Sequence, residues 1–69
     1  MNTETLKGLR ESSGLLAKEV AETLKITPRA YARYEQGTRR INIEQVLILA
    51  ELYGVSEREV IKAQLNSCL

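Results

Sequence analysis

The chain has no histidine and one cysteine, Cys68. A lone thiol closes no internal disulfide, and without an imidazole to share a metal it reads as incidental. No metal and no cofactor are expected. There is no glycine-rich phosphate loop and no pair of carboxylates in an apolar setting. Glu57 and Glu59 fall in a helix's first turn, where acids suit the dipole, and Ser12 with Ser13 reads as a helix end. Nothing here equips an enzyme. No apolar run approaches the length of a membrane span, and no stretch resembles a signal peptide. A cytoplasmic location is therefore expected. Repeats, linkers, low-complexity tracts and strand signals are also lacking.

What is present is helical. The 69 residues include no tryptophan and a single proline, and they are rich in Leu, Glu, Ala, Lys and Arg. That length makes one small, marginally stable domain, expected to have its core over residues 4–63 and a tail from 64 to 69. The net charge of +1 hides an uneven distribution. Residues 25–40 carry Lys25, Arg29, Arg33, Arg39 and Arg40 against Glu35 alone, while the segments on either side are net acidic. A local basic patch on a near-neutral chain is an electrostatic footprint for phosphate. It can equally be solvated surface.

The stretch from Ala17 to Gly37 organises the rest. Val20, Ala21 and Leu24 recur at helical spacing. Thr27 suits an N-cap, and Pro28 suits the first helical position. One helix is thus expected over 17–24 and another over 28–36, with Gly37 as a C-terminal stop. Lys25 occupies the turn, where a left-handed backbone would favour glycine. Two short helices separated by three or four residues form a helix-turn-helix. On the second helix Tyr31 and Tyr34 share one face, and Arg29 and Arg33 share another with Ala32 beside them. Forked guanidinium groups stacked in this way could read guanine edges in a major groove. The alternative is a solvated helix with ordinary surface arginines.

Around this stretch, Asn2 or Thr3 is expected to cap a first helix ending near Ser12, with Leu6 and Leu9 facing the core. Gly14 ends it and Leu15 drops between helices. Leu16 stands at an N-cap, a task for which leucine is poor, so that helix start is expected to be weakly capped or satisfied by water. Residues 38–41 form a loop. Asn42 and Gln45 have capping-box spacing ahead of a fourth helix. Its Val46, Leu47, Leu49, Ala50 and Tyr53 make it the expected centre of the core. Gly54 ends it, and Val55 is a buried link. Ser56 and Glu59 open a fifth helix from Glu57 to Gln64 or Asn66, with Val60 and Ile61 reaching the core. Five short helices and no strand define an all-α domain.

Leu9-Arg10, Gly14-Leu15, Val20-Ala21, Arg33-Tyr34-Glu35 with Gly37, and Leu49-Ala50 through Gly54-Val55-Ser56 together resemble the phage-repressor-like helix-turn-helix family of Cro/C1, or XRE, type. The resemblance spans about Leu6 to Ile61. It implies a compact five-helix, lambda-repressor-like domain whose third helix enters the major groove of double-stranded DNA. Carried over by position, Pro28, Arg29, Ala32 and Arg33 fall on base-facing sites, with Ala32 placed to touch a thymine methyl. Ala30, Thr38, Arg39 and Arg40 fall near phosphates, as do Ala17 and Lys18 at the start of the second helix. Arg10 and Glu35 match a structural ion pair. The chain departs from the family pattern where Ser or Thr followed by Gln gives way to Leu16 and Ala17. Lys25 replaces the turn glycine, Pro28 a polar base reader, and Tyr31 a smaller aliphatic residue.

The expected function is a sequence-specific DNA-binding transcriptional regulator, prokaryotic or phage, that reads a palindromic operator as a homodimer. No small-molecule ligand and no membrane partner are expected. The apolar surface left over on the fifth helix, Val55, Leu65 and Leu69, is the expected dimer contact. Leu65 and Leu69 could instead belong to a frayed tail. The competing reading is an antitoxin-like protein-interaction module of the same fold, without base readout.

Overall fold

Each helix of the chain begins and ends on chemistry that its flanking residues supply. In a computed structural model that describes residues 4–67, five helices follow one another: α1 (Leu6–Ser12), α2 (Ala17–Leu24), α3 (Pro28–Gln36), α4 (Ile43–Tyr53) and α5 (Glu57–Ser67). No strand occurs among the described residues. The caps expected at Asn2 or Thr3 lie outside those residues. Thr5 does that work, its hydroxyl accepting the Gly8 N–H at 3.1 Å. Leu16 has no oxygen to offer α2. The Glu19 carboxylate instead accepts the Leu16 N–H at 2.8 Å, so a glutamate one turn on supplies half of a capping box at a helix start expected to be weakly capped or satisfied by water. Thr27 caps α3 through the Ala30 N–H at 3.1 Å. Asn42 and Gln45 close a complete capping box on α4, at 2.7 and 2.9 Å. The Ser56 hydroxyl accepts the Glu59 N–H at the start of α5.

The helix ends are left-handed where the sequence offers glycine, and once where it does not. Gly37 at φ 80° and Gly54 at φ 67° terminate α3 and α4. Lys25 does the same for α2 at φ 59°, a conformation that strains any residue with a Cβ.

All five helices contribute to one core. Leu6, Val20, Tyr31, Leu49 and Val60, one from each helix in turn, are completely enclosed. Removing such an aliphatic side chain from water stabilises the fold by about 2 kcal/mol. The expected core needs two corrections. Leu47 and Ile61 are exposed, because α4 turns Val46, Leu49, Ala50 and Tyr53 inward and α5 turns Val60, Ala63 and Gln64 inward. Each exposed residue sits one step off its helix's inner stripe.

α5 runs to Ser67, close to the end expected at Gln64 or Asn66, and takes in residues 64–67 of the expected tail. Gln64 is buried, and its side-chain oxygen accepts the Ile41 N–H just ahead of α4. Ser67 accepts the Leu6 N–H at 3.1 Å, and Asn66 donates to the Glu4 carbonyl at 2.7 Å. The end of α5 is thereby tied to the start of α1, and Leu65 sits within an ordered helix rather than a frayed end. Leu69 and Cys68 lie outside the described residues. Among the described residues no helix is long and apolar enough to cross a membrane.

Candidate nucleic-acid interface

α3 is amphipathic in a way that divides its work. Tyr31 and Tyr34 point inward, with rings packed edge to face at 6.3 Å. Pro28, Arg29 and Arg33 are exposed on the other side, and Ala32 is half-buried between them. Gln36 is exposed three residues beyond Arg33 and extends the same face by one turn. It was not singled out from the sequence, although its spacing from Arg29 and Arg33 was available as a signal.

Three sets of contacts hold α3 in place. The Arg10 guanidinium donates to Glu35 at 2.7 and 3.4 Å and to the Leu15 carbonyl at 3.1 Å. α1, the turn after it and the last turn of α3 are thus locked through one side chain. The bond to Glu35 raises the Arg10 pKa further above its ordinary value. Second, the Tyr31 and Tyr53 hydroxyls meet at 3.1 Å in the core. Burial, more than this bond, pushes the Tyr31 hydroxyl far above the ordinary tyrosine range. Third, Gln45 donates to the Tyr34 hydroxyl at 3.2 Å while its oxygen caps Asn42. Capping-box spacing pointed to the second of these bonds and not to the first.

The loop between α3 and α4 is braced at both ends. Thr38 donates its hydroxyl to the Arg33 carbonyl at 3.2 Å, and Gln64 receives Ile41. Between these anchors Arg39 and Arg40 are exposed. Arg29, Arg33, Arg39 and Arg40 have no ion-pair partner among the described residues, where Arg10 and Glu35 form the recorded pair. Four guanidinium groups are left facing solvent on α3 and the loop that follows it.

A family model described as helix-turn-helix matches residues 6–60. The chain belongs to this helix-turn-helix family, in its Cro/C1 or XRE type. The type is one of DNA-binding transcription regulators. No curated protein and no solved structure matches the chain.

Two backbone groups of this helix-turn-helix domain bear on the phosphate positions expected from the sequence. The Ala30 N–H is already bonded to Thr27, so Ala30 can offer an approaching phosphate only its half-buried methyl. At the start of α2, Ala17 is half-buried and Lys18 is exposed. The Glu19 carboxylate lies at the same helix end, against the Leu16 N–H. A phosphate approaching Ala17 and Lys18 would meet that negative charge as well as the lysine.

Proposed function

We propose that this helix-turn-helix protein is a sequence-specific transcriptional regulator that binds a palindromic operator as a homodimer. The observation that carries the reading is the set of four exposed arginines on α3 and the loop behind it, none with an ion-pair partner among the described residues. Each subunit lays α3 in a major groove. Arg29 and Arg33 read guanine, since a guanidinium can bond both O6 and N7 of that base, each pair contributing about 1–3 kcal/mol of discrimination. Pro28 and Ala32 make apolar contact beside them, Ala32 against a thymine methyl. Thr38, Arg39, Arg40 and Lys18 hold phosphates, with Ala17 and Ala30 close by. These contacts set register and supply salt-sensitive affinity without reading sequence. Two-fold symmetry selects half-sites about one helical turn apart. Regulation is then by occupancy, in the cytoplasm where the DNA target lies.

The testing experiment is fluorescence anisotropy against a pool of random duplexes at two salt concentrations, with sequencing of the retained fraction. Enrichment of a palindrome with guanines at fixed half-site positions is expected. Binding without enrichment would remove the arginine readout. Absence of binding even at low salt would favour the protein-interaction reading, for which the Glu19 carboxylate at the start of α2 is the supporting observation.

A further inference from the structure

Ile41 and Asn42 are consecutive, and their backbone N–H groups are both taken by glutamine side chains of two different helices. The Gln64 oxygen, on α5, accepts the Ile41 N–H, and the Gln45 oxygen, on α4, accepts the Asn42 N–H at 2.9 Å. The Gln45 amide also donates to the Tyr34 hydroxyl of α3 at 3.2 Å. Both backbone bonds fall directly behind Arg39 and Arg40. Ahead of those arginines, the Thr38 N–H and hydroxyl donate to the Arg33 carbonyl at 3.1 and 3.2 Å. Between the two anchors, the N–H groups of Arg39 and Arg40 make no hydrogen bond among the described residues.

The two glutamines do different work. Gln45 is half-buried and acts locally, completing the cap of α4. Gln64 reaches an amide 23 residues away and is only 8% exposed. Its neighbours on the inner side of α5, Val60 and Ala63, are apolar. An apolar side chain at 64 would serve that packing, but it would leave the buried Ile41 N–H without an acceptor. A peptide group is planar and trans. The bond that aims the Ile41 N–H at Gln64 therefore aims the Arg40 carbonyl the opposite way, and it fixes the backbone on which the Arg40 side chain is mounted.

We infer that Gln64 is a positioning residue for phosphate binding: it contacts no DNA, and it holds the Arg40–Ile41 peptide so that Arg39 and Arg40 meet the phosphate backbone from an ordered loop. The inference rests on the DNA-binding part of the reading above, and not on the palindrome or the homodimer. Its physical basis is entropic. A loop that becomes ordered only on contact gives up backbone freedom when it binds. A loop closed by Thr38 on one side and by Gln64 on the other has given up most of that freedom during folding. Removing the Gln64 oxygen leaves both guanidinium charges in the chain and takes away only their placement.

The test is a double-mutant cycle on the full chain, read by fluorescence anisotropy against a random duplex pool at low salt. Gln64→Met keeps length and bulk and removes the oxygen. It is expected to weaken binding by about 5–30-fold, the ratio that corresponds to ordering one residue. In a chain that already carries Arg39→Ala and Arg40→Ala, the same change is expected to have little effect, because no guanidinium is left to place. A role in stability alone would not couple to the arginines once circular dichroism shows each variant folded at the working temperature. A folded Gln64→Met chain that binds as the unmodified chain does, or that weakens equally in both backgrounds, would overturn the inference while DNA binding stands. An unmodified chain that binds no duplex even at low salt would overturn the DNA-binding reading and this inference with it. If Gln64→Met does not fold, amide hydrogen exchange of the unmodified chain decides. An Ile41 N–H that exchanges far more slowly than those of Arg39 and Arg40 supports the clamp, and one that exchanges as fast as theirs overturns it.

Discussion

The hydroxyl of Tyr31 on α3 lies 3.1 Å from that of Tyr53 on α4, both buried in the core. Each satisfies the other in a place water does not reach. Truncating one strands its partner, and an unsatisfied buried hydroxyl costs about 1–3 kcal/mol. Tyr31→Phe is expected to destabilise the fold by that amount. The double change to phenylalanine at 31 and 53 is expected to recover part of the loss. Urea denaturation of the four chains checks this, and additive losses would mean that the hydroxyls do not act as a pair.

The same pair sets the response to alkali. Burial raises the pKa of both tyrosines in the folded chain. The unfolded chain releases these protons near the ordinary value of about 10. Below that pH both states hold the protons, and the fold keeps its full stability. Above it the unfolded state loses protons that the folded state retains, so stability falls as pH rises. One fully retained proton gives a slope of about 1.4 kcal/mol per pH unit. Melts between pH 9 and about pH 11 are expected to show this limb, and Tyr31→Phe to flatten it.

The helix boundaries were legible because they rest on local chemistry. Thr27-Pro28, Asn42 with Gln45, and the glycines at 37 and 54 announce where backbone groups are satisfied, and each does so over four residues or fewer. The arginine face of α3 was legible for a related reason, since unpaired charge stays in water. The inner side of α4 was not. Glu44 and Glu51, seven apart, mark its outermost line, but apolar residues fill both flanks, so nothing marks how far round the core side extends and Leu47 reads as core. The burial of Gln64 has no periodic signature either. It depends on an amide 23 residues away that needs an acceptor. Leu16 hid the capping role of Glu19, because a capping box is recognised by the hydroxyl or amide that leucine lacks.

Lys25 holds a left-handed backbone at φ 59°. A Cβ in that conformation costs about 1–2 kcal/mol, partly offset by the flexibility that glycine brings to the unfolded chain. Lys25→Gly is expected to stabilise the protein by up to about 1 kcal/mol, or about 4–8 °C in Tm for a domain of this size. Thermal unfolding followed by circular dichroism measures it. A lower Tm would mean that the lysine's own contacts outweigh the strain.

The Glu19 carboxylate sits at the end of α2 that the proposed DNA complex brings near a phosphate. Its charge opposes that approach, while its oxygen supports the helix start. Glu19→Gln keeps an oxygen for the Leu16 N–H and removes the charge. DNA affinity is expected to rise a few-fold at low salt, with the gain fading as salt screens the repulsion. Unchanged affinity at low salt would place the DNA away from α2.

Arg33 and Arg40 are both exposed, yet they are expected to fail differently. Arg33 projects from the outer face of α3, where a base edge would lie. Arg40 projects from the loop, where a phosphate would lie. Arg33→Ala is expected to lose discrimination at one base pair, about 1–3 kcal/mol measured across a set of singly substituted operators. Arg40→Ala is expected to weaken all of those operators equally and to reduce the salt slope by about one phosphate contact. Measuring both variants on the same set at several salt concentrations separates the roles. If Arg33→Ala weakens every operator uniformly, the third helix is holding backbone rather than reading bases. An unchanged salt slope for Arg40→Ala would remove that arginine from the phosphate contacts.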